Sequence, residues 1–113
     1  MTMTVTVHEL AHFSGTESYR KHWTRMFNLT DGVQYLEDNG MAWLIDIVAS
    51  YQPIKGEDFQ CWTLLTKDKK GTVLATDGND KKLAKQELEY ADAPDGTIKL
   101  FLTDGVLLLA SEY

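Results

Sequence analysis

A chain of 113 residues with 43% hydrophobic and 11% aromatic content is too apolar to stay disordered, and its length suits one domain with a sizeable core. Its formal net charge of −6 argues against nonspecific nucleic-acid binding, which draws its affinity from a basic surface that displaces counterions. No apolar run reaches the roughly 18 residues of a membrane span, no charged-then-apolar leader opens the chain, and the single Cys61 allows neither an internal disulfide nor a cysteine-pair zinc knuckle. A single cytoplasmic domain over residues 1–113, with no membrane association and no cofactor, is the expectation.

Residues 5–13 read as a short helix with Val5, Leu10 and Phe13 inward, stopped by Ser14-Gly15. It contains His8-Glu9-Leu10-Ala11-His12, a match to the H-E-x-x-H pattern in which two histidines one turn apart hold zinc and the glutamate activates water. A zinc hydrolase also needs a third ligand and a long buried scaffold helix. Only His22 remains as a further histidine, with no family spacing to place it. His8 and His12 are therefore read as a decoy that binds metal adventitiously, and a zinc-dependent hydrolase is the weakest of the functional alternatives.

Residues 16–27 read as a second helix, capped by Thr16, with Tyr19, Trp23, Met26 and Phe27 on one face. Arg20, Lys21, Thr24 and Arg25 occupy the other face, with His22 at its border. That face is either simply solvated or an anion and acidic-partner patch built from Arg20, Lys21 and Arg25.

The stretch 30–52 is the most strongly patterned before the strands begin. Asp31 and Gln34 have capping-box spacing, Val33 and Leu36 recur at helical spacing, and Asn39-Gly40 supplies a left-handed stop. A further helix should start near Met41, apolar over most of its circumference and hence buried as the spine of the fold. Asp46 is a lone charge within it. It lies either on a solvated edge or on a hydrogen-bond partner such as Ser50, or it is a functional carboxylate facing a cleft.

After a turn-rich linker at 53–58, residues 59–66, 72–76, 83–91, 97–103 and 106–110 read as strands separated by short turns, which predicts an antiparallel meander. The turn at 77–81 begins like a calcium loop but has Lys81 and Leu88 where ligands belong, so a hairpin turn is the reading. Residues 106–109 are apolar at every position and Phe101 opposes Ile98, Leu100 and Leu102, so both faces of this hairpin need cover. Helices can supply one cover. The other is a second copy of the chain, the favoured choice, or the Glu112-Tyr113 tail folding back.

The strings GTESYRKHW at 15–23, TDGVQYL at 30–36, WLIDIVASYQ at 43–52, FQCW at 59–62 and GVLLLASEY at 105–113 resemble an uncharacterised bacterial family of unknown function associated with accessory and mobile genetic regions. The resemblance spans nearly the whole chain and carries no known chemistry. It implies a shared polar site among Tyr19, His22, Thr30, Asp31, Asp46, Tyr51 and Gln52, and it does not involve the His8–His12 string. The chain departs from the family pattern at Ala110 and at 91–94.

The expected fold is α+β, with N-terminal helices over about 5–52 packed on one face of a roughly five-stranded antiparallel meander sheet over about 59–110. The expected core includes Trp23, Trp43, Trp62, Leu44, Ile45, Ile47, Val48, Leu64, Leu88, Ile98, Leu100 and Leu108. The leading functional reading is a small noncatalytic binding or accessory protein, homodimeric, with a protein partner. The alternative is an enzyme using His22 with Asp46 or Asp31, a base with an orienting carboxylate.

Overall fold

Strand alternation sets the architecture. In the strand Phe59–Lys67, Gln60, Trp62, Leu64 and Thr66 are buried while Cys61, Thr63 and Leu65 stand on the opposite, more exposed face. The computed structural model describes residues 20–22, 26–52, 54, 58–79 and 81–113. The expected helix at 5–13 with its His8–His12 string, together with Tyr19, Trp23 and Arg25, lies outside the described residues.

In chain order the described elements are β1 (Arg20–Lys21), β2 (Asn28–Leu29), α1 (Asp31–Leu36), α2 (Ala42–Ser50), β3 (Phe59–Lys67), β4 (Lys70–Thr76), β5 (Lys82–Leu88), β6 (Gly96–Thr103), β7 (Val106–Leu109) and a 3₁₀ turn at Ala110–Glu112. The fold is α+β with a mostly antiparallel sheet, ordered β1-β2-β7-β6-β3-β4-β5. No helix among the described residues is long and apolar enough to cross a membrane.

Three expectations need correction. The helix at 16–27 is not what the described part forms: Arg20 pairs with Leu29 and Lys21 with Asn28 in an antiparallel hairpin. The cause is tertiary. β7 offers an open edge, and β2 takes it in parallel register, with Asn28 donating to Gly105 O at 2.8 Å and Thr30 to Leu107 O at 3.3 Å. Satisfying that edge outweighs a weak helical pattern.

The sheet is also not a simple meander. β6 pairs with β3 rather than with its sequence neighbour β5, which places β3 between β6 and β4. Ile98, Leu100 and Leu102 of β6 belong to the core, whereas β5 exposes Lys82, Lys85 and Glu87 and suits the charged edge of a sheet. The crossing segment after β5 inserts Ala91 and Ala93, each 1% exposed, so the strand expected to reach residue 91 ends at Leu88.

The third correction concerns the cap of α1. Thr30, not Asp31, is the N-cap, and its Oγ1 accepts from Val33 N at 3.4 Å. Gln34 instead donates to Asp38 Oδ1 at 2.9 Å. The expected stop at Asn39-Gly40 is present: Gly40 has φ 96°, Asn39 Nδ2 donates to Tyr35 O at 2.7 Å, and the two helices meet at this kink.

α2 is the buried spine, with Leu44, Ile45, Val48 and Ala49 in one core cluster with Trp62, Leu64 and Leu100. Trp43, Ile47 and Leu88, expected in the core, are only partly buried against it. The last hairpin is covered on both faces. Leu107 and Leu109 join the helix-side core, and on the other face Phe101 meets the tilted ring of Phe59, with centroids 5.3 Å apart, and Tyr113 edge to face, with centroids 5.1 Å apart. The returning tail is thus the cover seen on Phe101.

Candidate functional site

The candidate base is held by the first hairpin. His22 follows β1 and donates its backbone N–H to Phe27 O at 3.0 Å, and its ring tilts against Phe27 with centroids 5.1 Å apart. This turn sets the imidazole under the helices, where its side chain has no exposure. Nε2 lies 3.1 Å from Asp46 Oδ1 on α2 and 3.9 Å from Glu37 Oε2 at the kink between the helices. A carboxylate can only accept, so the short bond fixes the ring proton on Nε2.

Asp46 sits at a solvated edge, with its side chain 47% exposed, and its contact is His22 rather than the expected Ser50, whose Oγ donates to Ile47 O at 2.7 Å. Glu37 Oε2 and Trp43 Nε1 are buried without hydrogen-bond partners among the described residues, a local cost that the His22–Asp46 bond does not relieve.

The other candidates divide. Tyr51 donates to Gln86 Oε1 at 3.1 Å and sets its ring 5.6 Å from Trp62. Gln52 and Gln60 exchange amide hydrogen bonds of 2.8 and 3.0 Å, and Trp62 Nε1 donates to Gln60 Oε1 at 2.9 Å. Asp31 opens α1. Among the described residues, His22 and Asp46 meet in one place, while Gln60 bonds with Gln52 and Trp62, and Tyr51 with Gln86, elsewhere. Of the basic patch, Arg20 and Lys21 lie on β1 and not on a helix face.

Sequence reasoning missed Glu37, Gln60 and Glu112. Gln60 had a signal: it is a polar residue at an inward position of a strand, in phase with Trp62 and Leu64, and such a residue needs a buried partner.

His22 lines neither of two concavities on the described surface. The smaller, about 360 Å³, lies beside Gln52, Gln60, Asp58 and Asp104. The larger of the two is an open groove of about 1050 Å³ on the outer side of the sheet, lined by Leu65, Thr72 and Glu87 in one row across three strands and by Lys67, Asp68, Lys70 and Glu89 beyond them.

Within the groove, Thr72 Oγ1 donates to Glu87 Oε2 at 2.8 Å and Lys85 Nζ lies 3.3 Å from Glu87 Oε1. The Thr72 hydroxyl first, then Lys85, hold the Glu87 carboxyl below its ordinary value of 4.5. A lowered acid pKa means this contribution is complete above the unfolded value and is lost as pH falls through the folded one. Thr72→Val should accordingly raise the Glu87 midpoint toward 4.5, read from its carboxyl carbon resonance by NMR. An unchanged midpoint would assign the shift to Lys85 alone.

The sequence profile of a family of unknown function, DUF6876, matches residues 4–113, nearly the whole chain. The chain belongs to this family. Comparisons with curated proteins and with solved structures find no match. The DUF6876 match agrees with the resemblance drawn from the sequence strings. As a family of unknown function, DUF6876 gives no activity to transfer to His22 or to the groove.

Proposed function

We propose that this DUF6876 chain is a noncatalytic binding or accessory protein, dimeric, that acts on another protein in a bacterial cytoplasm. The observation that supports it most is the sealing of His22. A general base must reach substrate with a ring nitrogen, yet this imidazole is fully covered and its Nε2 is bonded to Asp46. The His22–Asp46 pair reads best as a tie between the first hairpin and α2. Among the described residues the large groove offers lysines, acids and apolar surface but no histidine, cysteine or serine, a lining suited to docking. The acidic balance of the chain favours a protein over a nucleic acid as partner.

The 3.1 Å His22–Asp46 bond also favours the second reading, an enzyme built on this pair. The two readings separate by experiment. The chain is purified from its own host under native conditions and weighed by native mass spectrometry, beside Asp46→Asn and His22→Gln variants checked for folding by circular dichroism. The binding reading expects one discrete complex with a second protein, retained by Asp46→Asn and costing that variant only about 1 kcal/mol of stability. Turnover of a small molecule from host extract that disappears in both folded variants would establish the enzyme instead.

A further inference from the structure

We infer that the cavity of about 360 Å³ beside the C-terminal end of α2 binds a small, positively charged carboxamide, held edge to edge by the Gln52–Gln60 amide pair. The site shares no residue with the large groove and does not depend on a protein partner.

The inference comes from counting hydrogen-bond positions. A primary amide has two N–H donors and two lone pairs on its oxygen. Gln60 Oε1 uses both of its lone pairs, accepting from Trp62 Nε1 at 2.9 Å and from Gln52 Nε2 at 2.8 Å. Its Nε2 donates to Gln52 Oε1 at 3.0 Å. Gln52 Nε2 uses both of its protons, the second going to Val48 O at 3.2 Å. These partners also fix which way each amide points, since an indole N–H can only donate and a backbone carbonyl can only accept.

Two positions stay open among the described residues: the second N–H of Gln60 and the second lone pair of Gln52 Oε1. In a reciprocal amide pair these lie side by side, flanking the bond from Gln60 Nε2 to Gln52 Oε1. The opposite side of the pair is filled by Trp62 and Val48. Both glutamines line the cavity, whereas Trp62 and Val48 do not, so the open edge is the one that faces it. Gln60 is only 3% exposed, which places a donor in need of a partner at the cavity floor.

A donor beside an acceptor is matched by an acceptor beside a donor, which is the edge of a carboxamide. A carboxylate would set a second oxygen against Gln52 Oε1. An ammonium or guanidinium group would set its N–H against that of Gln60. The lining decides the rest of the ligand. Its charged groups among the described residues are Asp58 and Asp104, both exposed and neither in an ion pair there. The carbonyl end of α2 adds negative partial charge. Together they favour a positive group away from the amide, and Met26, Ile54 and Leu102 offer apolar wall to the carbon between. The volume falls at the lower end of the roughly 300–1,000 Å³ of small-molecule sites.

The test is titration of the full chain with glycinamide, a carboxamide one carbon from an ammonium, followed by nitrogen–proton NMR of the glutamine side-chain amides. The expected result is saturable movement of the Gln60 amide signals, larger for the proton not bonded to Gln52. Acetamide, which lacks the charge, should move the same signals but bind up to about fivefold more weakly, and ethylammonium should leave them in place. Asp58→Asn/Asp104→Asn, which changes exposed rim residues only, should lower glycinamide binding to the acetamide level. Gln60 signals that never move overturn the inference, because the open edge then holds only water. Equal movement with ethylammonium overturns it too, since the two acids alone would then account for binding. Either failure leaves the host-protein complex sought by native mass spectrometry unaffected, so the binding reading stands or falls separately.

Discussion

Glu112→Ala should cost about 2–3 kcal/mol of folding stability in urea denaturation, a large effect for a residue one position from the chain's end. Its carboxylate is the long-range half of the α1 cap. Oε1 accepts from Thr30 Oγ1 at 2.6 Å and from Leu109 N at 3.0 Å, and Oε2 accepts from Gly32 N at 3.2 Å. Removing it leaves a buried hydroxyl and two backbone amides without this acceptor, and it frees the 3₁₀ turn from α1. Glu112→Gln keeps the acceptor oxygen and should recover part of the loss.

Gly32 completes the same latch. A Cβ there would stand 2.5 Å from Leu109 Cδ1 and 2.6 Å from Glu112 Oε1. Gly32→Ala should therefore destabilise by about 1–3 kcal/mol, even though alanine is the better helix former. Because both substitutions break one contact, their combination should cost clearly less than the sum. Full additivity would show that the latch does not hold the tail.

Trp62→Ala should be the most damaging single change, about 3–5 kcal/mol. Trp62 is 1% exposed near the centre of the interior strand β3, with Tyr51 near its ring and its Nε1 donating to Gln60. Truncation opens a cavity that the surrounding strand ladders cannot close. Gln60→Leu separates the polar part from the packing part: it fills similar volume but leaves Trp62 Nε1 and the Gln52 amide without their partner, at about 1–3 kcal/mol. If Gln60→Leu were neutral, the amide pair would be incidental to stability and the Gln52–Gln60 centre would be a stronger functional candidate.

The two centres differ in how far they could be read in advance. Gln60 was visible in principle, since strand alternation places it inward between Phe59 and Cys61. The His22–Asp46 bond spans 24 positions, and no periodicity links a hairpin turn to a helix that far along the chain. Glu37 lies 15 positions from His22 in the chain, at the end of α1, and only the packing of α1 over the hairpin brings its Oε2 within 3.9 Å of Nε2.

By itself the sequence determined the features that rest on local chemistry. They are the Asn39-Gly40 stop, the apolar spine from Met41, the tight Asp104-Gly105 turn with both residues at positive φ, and the five longer strands to within a few residues. Backbone sterics and burial periodicity act over a few neighbours, so the residues alone encode them. Only the tertiary structure decided what depends on which edges remain open once the core closes. β7's free edge drew residues 28–29 into parallel pairing and their neighbours 20–21 into a hairpin. The apolar face of β6 took the place beside β3 and left charged β5 at the rim. Glu112 then reached a helix cap 82 positions away, since unsatisfied backbone and hydroxyl donors bond to whichever acceptor the fold brings near.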